Sequence, residues 1–186
     1  MFVREVVLEN VKSFETATIS IGHGLTAIVG PNGAGKSTIL EAIGYGLFGY
    51  MPHRPQVNFM RHGATQATVA VEFTSPRDGR PYRVERTMRR SRARSTGMLA
   101  ANATTTVSLF DIDLARSIDQ PAADLEDWLT QQLGVDGLSS PAEVFEHVVG
   151  VPQGRLTADF LDSTRLRKER FDPILRTAEF QQAVDR

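Results

Sequence analysis

The chain has 186 residues and a formal net charge of −1, enough sequence for one hydrophobic core with a small satellite lobe. It contains no cysteine, which excludes disulfides and thiolate metal sites and favours a cytoplasmic protein. We find no apolar run of membrane-spanning length and no N-terminal leader, so we expect no membrane association.

The first predicted elements are strands that lead into a glycine-rich turn. Apolar patterning predicts strands over 2–8 and 18–21, and the apolar run Leu25-Thr26-Ala27-Ile28-Val29 predicts a third. The next nine residues, 30–38, fit the phosphate-loop pattern G-x-x-x-x-G-K-[ST]. Helical spacing of apolar residues then predicts a helix over 39–48. A strand, a glycine-rich turn and a helix are the context in which this pattern binds the phosphates of a nucleoside triphosphate.

The residue types of the phosphate loop follow from its chemistry. Glycines let backbone N–H groups converge on a phosphate at a helix N-terminus, where the helix dipole favours negative charge. Lys36 is predicted to reach the β- and γ-phosphates, and Ser37 to give its hydroxyl to Mg²⁺. We therefore expect a nucleoside triphosphate and Mg²⁺ to be bound here. The residues predicted to surround the phosphates are Asn32, Gly33, Ala34, Gly35, Lys36, Ser37 and Thr38.

A connecting segment over 50–65 precedes a β-rich region. Strands are predicted near 69–73, 82–84 and 104–110, with a hairpin turn at 75–79, so we expect an antiparallel β platform. Seven arginines between Arg80 and Arg94 crowd its return strand and the loop that follows. Such a cluster is typical of contacts with DNA phosphates. The residues predicted to bind DNA are Arg89, Arg90, Arg92 and Arg94.

The rest of the chain is predicted to be mostly helical. Helices are expected over 124–133, after the N-cap Ser140, near 158–161 and over 164–171, with an interruption at Pro173. Asp111 is the best local candidate for a second Mg²⁺ ligand. The strand before it alternates polar and apolar residues, whereas a metal-binding carboxylate of this class follows a fully apolar strand. We therefore reject Asp111 as a metal ligand.

Several segments together resemble the N-terminal lobe of SbcC-type DNA double-strand-break repair ATPases, ABC-type relatives of the structural-maintenance-of-chromosomes (SMC) ATPases. The resemblance implies an α/β phosphate-loop NTPase with a mixed central sheet, an antiparallel β platform and helices leading into a truncated coiled coil. It implies an ATPase half-lobe over 1–176 and the start of the coiled coil over 177–186. The segments are Lys12-Ser13-Phe14, Gly24 to Ile43, Tyr45 to Gly49, Phe59 to Gly63 and Val151 to Arg155.

The same resemblance implies roles for residues outside the phosphate loop. Lys12 and Ser13 contact the phosphates from the side, and Met60, Arg61 and His62 lie near the nucleotide. Gln153 is the Q-loop glutamine that reaches Mg²⁺ and the attacking water, so Lys36 and Gln153 are the expected catalytic residues. Glu41 stands where this family usually has aspartate in the loop helix.

The function implied is ATP hydrolysis by a lobe that dimerises head-to-tail on ATP, acts on double-stranded DNA and controls an SbcD-type nuclease. Its C-terminal half, bearing the Walker B and signature motifs, is an expected partner, and the expected location is the nucleoid in the cytoplasm. Two alternatives stay open. One is a stand-alone phosphotransferase, such as a small-molecule kinase, which needs lid arginines near the phosphates. The other is a non-catalytic, nucleotide-dependent DNA-binding module.

Overall fold

A six-stranded antiparallel sheet forms the body of the protein. The computed structural model describes residues 1–51, 53–92, 98–135, 140–150, 163–175 and 177. Among them the strand order is β2-β1-β3-β4-β5-β6, with every neighbouring pair antiparallel. The predicted antiparallel platform is confirmed, and it is continuous with the first two strands. The strands are β1 Phe2–Val11, β2 Phe14–Ser20, β3 Gln66–Thr74, β4 Pro81–Arg89, β5 Thr104–Asp111 and β6 Arg116–Ile118.

Helices lie before and after the platform strands in sequence. Their bounds in the described ranges are α1 Lys36–Phe48, α2 Ala122–Leu133, α3 Pro141–Val144, which continues as a π-helical turn over Phe145–Val149, and α4 Thr164–Leu175. The predicted cap is present, because the Ser140 hydroxyl accepts a hydrogen bond from the Glu143 amide at 3.3 Å. Helix α4 runs through Pro173, so the interruption predicted there is wrong. The helix predicted near 158–161 lies outside the described residues.

The hydrophobic core lies between the sheet and the helices. Alternate residues of the central strands, among them Val71 and Val84, face α1 and α2 and are fully buried. Helix α1 crosses the sheet closely at Gly46, where an added Cβ would lie 2.6 Å from Val71 Cγ2. The missing side chain therefore lets the helix lie directly on β3. None of the helices in the described ranges has the length and apolar composition needed to cross a membrane.

The predicted third strand, 25–29, is not a strand. The chain between residues 21 and 35 contains no strand and is largely solvent-exposed, with Leu25 99% and Val29 87% exposed. A β-strand exists only when a neighbouring backbone supplies its hydrogen bonds. No strand among the described residues pairs with this segment. The segment is apolar as its pattern indicates, but the strand prediction is wrong for the described part of the chain.

Candidate nucleotide-binding site

The phosphate loop presents the N-terminus of α1 to solvent. The N-cap residue is Gly35, with φ of 93°, and the first turn of α1 contains no acidic residue and no side-chain cap. Backbone N–H groups of a first helical turn lack partners within the helix and lie at the positive end of its dipole. A phosphate is the kind of ligand that satisfies them.

Two features of Gly35 favour glycine: its positive φ and the close packing around its Cα. A Cβ at this position would lie 2.6 Å from Phe14 Cε2 and 3.0 Å from Ser13 Oγ. Gly33, with φ of 82°, adopts the same left-handed backbone region that favours glycine. The turn between β1 and β2 can therefore approach the loop directly.

A cleft of about 620 Å³ lies between this turn and the phosphate loop. Its volume falls within the usual range for small-molecule sites, roughly 300–1,000 Å³. The structure thus brings together two groups of residues that the sequence assigned to phosphate binding, and their contact with a nucleotide stays a prediction. The lining residues are Lys12, Ser13, Asn32, Gly33, Gly35, Lys36, Ser37 and Thr38.

The third predicted segment, 59–63, is held against the end of β1. The Lys12 amide donates to the Phe59 carbonyl at 3.0 Å, and the Arg61 amide donates to the Asn10 carbonyl at 2.7 Å. This pairing places Arg61 Nη1 3.1 Å from the Ser13 carbonyl, at the edge of the cleft. Two motifs separated by almost fifty residues therefore meet at the candidate site.

Met60 and His62 occupy different environments. The Met60 side chain is 5% exposed and belongs to the hydrophobic core, whereas His62 is exposed. Burial of Met60 points to a supporting role through packing, with its backbone bridging Val11. The predicted proximity of both residues to the nucleotide remains a prediction.

Lys36 and Ser37 supply the polar groups of the loop. The Lys36 ammonium donates to the carbonyls of Gly30 and Pro31, both at 2.8 Å. An ammonium has three donors that can exchange carbonyl oxygens for phosphate oxygens. The Ser37 side chain is exposed. Its hydroxyl suits Mg²⁺, which is usually held by few protein oxygens together with waters and substrate phosphates.

Further acidic ligands do not gather at this site. In the described ranges no group of three or more histidines and carboxylates could hold a metal ion. Asp111 is 4% exposed, and its two oxygens accept hydrogen bonds from Arg80 Nη2 at 2.8 and 2.7 Å. This structural ion pair agrees with the rejection of Asp111 as a metal ligand.

The arginine cluster divides into two groups. Arg86 is 4% exposed and donates to both oxygens of Glu126, at 2.5 and 2.8 Å, and to the Gly46 carbonyl. Arg80 is paired with Asp111, and Arg83 lies 3.4 Å from a Glu72 oxygen. Carboxylates already offset the charges of these three arginines, so they have less charge to offer to DNA phosphates, and DNA contact by the cluster stays a prediction.

The second group lies at the end of β4 nearest the cleft. Arg89 is exposed and donates to the amide oxygen of Gln66 at 3.1 Å, and Arg90 donates to the Ala100 carbonyl at 2.8 Å. These acceptors are neutral, so both positive charges persist. Arg92 is also exposed, whereas Arg94 and Gln153 lie outside the described residues.

One interaction at the site is not predictable from local sequence pattern. Lys12 and Glu41 form an ion pair, with Nζ 2.5 Å from Oε2. The sequence offered one signal for this pair, because Lys12 and Glu41 have opposite charges and lie in two segments that were both assigned to the nucleotide site. The pairing itself arises from the approach of the β1–β2 turn to α1, which neither segment encodes alone.

The chain is similar to one protein family and to several known proteins. The AAA domain family matches residues 5–186. The DNA double-strand break repair Rad50 ATPase of Methanopyrus kandleri is 30% identical over 97% of this chain and 19% of its own length. The DNA replication and repair protein RecF of Beutenbergia cavernae is 38% identical over 46% of this chain and 21% of its own length.

A solved SMC head domain from Thermotoga maritima is 24% identical, with a TM-score of 0.47, covering 69% of this chain and 42% of that one. The chain spans only 17 to 19% of the length of the first three Rad50 relatives. Their similarity nevertheless extends over nearly all of this chain, which confirms the resemblance to double-strand-break repair ATPases. The chain belongs to the AAA domain family.

Proposed function

We propose that this chain binds ATP with Mg²⁺ in the cleft between the β1–β2 turn and the phosphate loop. The observation that carries the proposal is the convergence of Lys12 and Ser13 with the loop residues around one cleft at the N-terminus of α1. In this role the loop amides hold the phosphates, and the ammonium groups of Lys12 and Lys36 offset their negative charge. Mg²⁺, bound by the Ser37 hydroxyl, would supply electrostatic stabilisation of the phosphoryl group.

We further propose that hydrolysis requires a complementary C-terminal half bearing the Walker B and signature motifs. Two observations support this step. The apolar segment 25–29 lies exposed directly before the phosphate loop, and among the described residues no group of three or more carboxylates and histidines could hold a metal ion. A strand from the complementary half would pair with this segment, and its acidic residue would complete the Mg²⁺ site.

Gln153 is proposed to act in hydrolysis more than in binding. In the complete protein, Gln153→Ala should keep ATP affinity within about threefold, since phosphate binding rests on the loop, while turnover falls. Unchanged turnover would reduce Gln153 to an ordinary loop residue.

At the level of the assembly, we propose ATP-dependent head-to-tail dimerisation, binding of double-stranded DNA and control of an SbcD-type nuclease in the cytoplasm. The support is the similarity to relatives described as DNA double-strand break repair ATPases, together with the neutral partners of Arg89 and Arg90. ATP-dependent dimerisation is testable by sedimentation of the complete protein with and without ATP. An unchanged sedimentation coefficient would contradict it.

The binding proposal is tested by equilibrium titration of the complete protein with ATP and Mg²⁺. Lys36→Ala removes the ammonium that faces the phosphates and should weaken ATP binding by at least about tenfold. Lys168→Ala is the matched control, because it removes an exposed lysine of α4 that does not line the cleft. Equal ATP affinity in the wild type and Lys36→Ala would contradict the proposal.

A further inference from the structure

Glu41 lies next to the candidate site without being one of its lining residues. It stands on α1, one helical turn after Ser37, with its side chain 21% exposed. Its Oε2 accepts a hydrogen bond from Lys12 Nζ at 2.5 Å, and its Oε1 lies 3.4 Å from His53 Nε2. The Lys12 ammonium also lies 5.6 Å from the centre of the Phe59 ring. The carboxylate and the ring together fix the position of this ammonium beside the cleft.

We propose that Glu41 is a positioning residue, which holds the Lys12 ammonium in place for the phosphates of ATP. The inference rests on the proposed function, since it concerns the same cleft. A lysine side chain is long and flexible, and fixing it on a ligand costs conformational entropy. An ion pair formed beforehand removes most of that cost from the binding step. Glu41 engages one of the three ammonium protons, which leaves the others for phosphate oxygens.

The backbone of Lys12 is held in place by its neighbours, so only the conformation of its side chain can vary. Lys12 adopts the left-handed region, with φ of 45°, and its amide donates to the Phe59 carbonyl at 3.0 Å. The Cα position is therefore set by β1 and the neighbouring segment. What Glu41 adds is the direction of the four-carbon chain.

The charge of Glu41 gives this proposal a distinctive signature. A carboxylate one turn from Ser37 repels a triphosphate unless a cation lies between them. With Lys12 present, Glu41 should strengthen ATP binding by orienting the ammonium. Without Lys12, the same carboxylate should weaken ATP binding by repulsion. The effect of neutralising Glu41 therefore changes sign with the residue at position 12.

The test is a double-mutant cycle in the complete protein, with ATP affinity measured by equilibrium titration in Mg²⁺. We expect Glu41→Gln to weaken ATP binding about fivefold, and Lys12→Met to weaken it further. Adding Glu41→Gln to Lys12→Met should restore affinity by several-fold. Glu72→Gln is the control, because it breaks an ion pair with Arg83 on the face of the sheet away from α1. It should leave ATP affinity unchanged.

Two results would overturn the inference. If Glu41→Gln strengthens ATP binding in both backgrounds, Glu41 only repels phosphate. If it weakens binding equally in both, its effect does not pass through Lys12. Should Glu41→Gln fail to fold, Glu41→Asp keeps the charge but shortens the reach, and it should weaken ATP binding in the Lys12 protein but not in Lys12→Met. Wild-type protein that binds no ATP would instead end the proposed function, and this inference with it.

Discussion

Tyr82 shows how a single buried hydrogen bond ties stability to pH. Its hydroxyl, on a side chain 3% exposed, donates to Asp78 at 2.7 Å. Burial and this bond raise the pKa of Tyr82 to about 12. Burial alone would raise the pKa of Asp78, but hydrogen bonds from the Tyr82 hydroxyl and the Arg80 amide, together with the charge of Arg80, outweigh it and lower that pKa.

The raised pKa of Tyr82 predicts where this stabilisation is lost. A group whose pKa is raised by folding stabilises the protein fully below its unfolded pKa of 10, and this contribution is lost as the pH rises towards 12. Tyr82→Phe should lower the free energy of unfolding by about 1 kcal/mol at pH 8, and by clearly less at pH 11. Urea denaturation of both proteins at these pH values measures the difference. An equal difference at both values would contradict the assignment.

Among single residues, the sequence pattern identified most of the residues that line the cleft, but not the contacts that support them. The glycines and the Lys-Ser pair are close together in sequence, and these neighbouring residues determine the conformation of the loop. The carboxylates that accept hydrogen bonds from the side chains of Arg80, Arg83 and Arg86 lie between 11 and 40 positions away in sequence. The arginine cluster therefore looked uniformly available for DNA, although the fold pairs part of it.

At the scale of elements, the position of α1 depends on Gly46. Gly46→Ala would gain about 1 kcal/mol of helix propensity but would force a Cβ to within 2.6 Å of Val71 Cγ2. Overpacking costs roughly 1–3 kcal/mol, so we expect net destabilisation of about 1 kcal/mol, with weaker ATP binding as α1 shifts. Urea denaturation and ATP titration measure the two effects.

Gly22→Ala is the matched control for this substitution. No atom lies within 4 Å of a Cβ at Gly22, and its backbone does not require glycine. It should leave both stability and ATP affinity unchanged. A Gly46→Ala protein as stable as Gly22→Ala would show that α1 does not need this close approach.

The two groups of arginines lead to a prediction about DNA. Replacing Arg89, Arg90, Arg92 and Arg94 together by alanine should weaken duplex binding by the complete protein. It should also lower the slope of log K against log salt concentration by about one for each DNA phosphate that is no longer bound. Arg83→Ala is the control, since Glu72 and Glu85 already offset its charge. An unchanged salt dependence in the fourfold variant would remove this strand end from the DNA interface.

Elements were predictable where local pattern determines them. Alternation predicted the platform strands, the apolar period predicted α1 and α2, and a capping box predicted the start of α3 at Pro141. Segment 25–29 has an equally clear apolar pattern, yet it pairs with no described strand. Strand formation depends on a second backbone, which a single segment cannot encode.

At the scale of the whole molecule, the exposed segment before the phosphate loop is the main clue to assembly. Leu25 and Val29 are almost fully exposed, and Ile28 is 41% exposed. Contiguous exposed apolar residues mark surfaces that another protein segment covers. They lie directly before the loop that would hold the phosphates, so under the proposed function a strand that covers them would also lie beside the nucleotide.

We propose that this chain binds ATP but needs a complementary half to hydrolyse it. The rate of ATP turnover is the measurement that tests this proposal. We would measure the rate for the 186-residue chain alone and with the complementary half added as a separate chain, with ATP binding checked in parallel. We predict binding with negligible turnover by the chain alone, rates of about 1–100 per second with the complementary half, and loss of activity in Lys36→Ala. Turnover at about 1–100 per second by the 186-residue chain alone would contradict this division of roles and favour a stand-alone phosphotransferase.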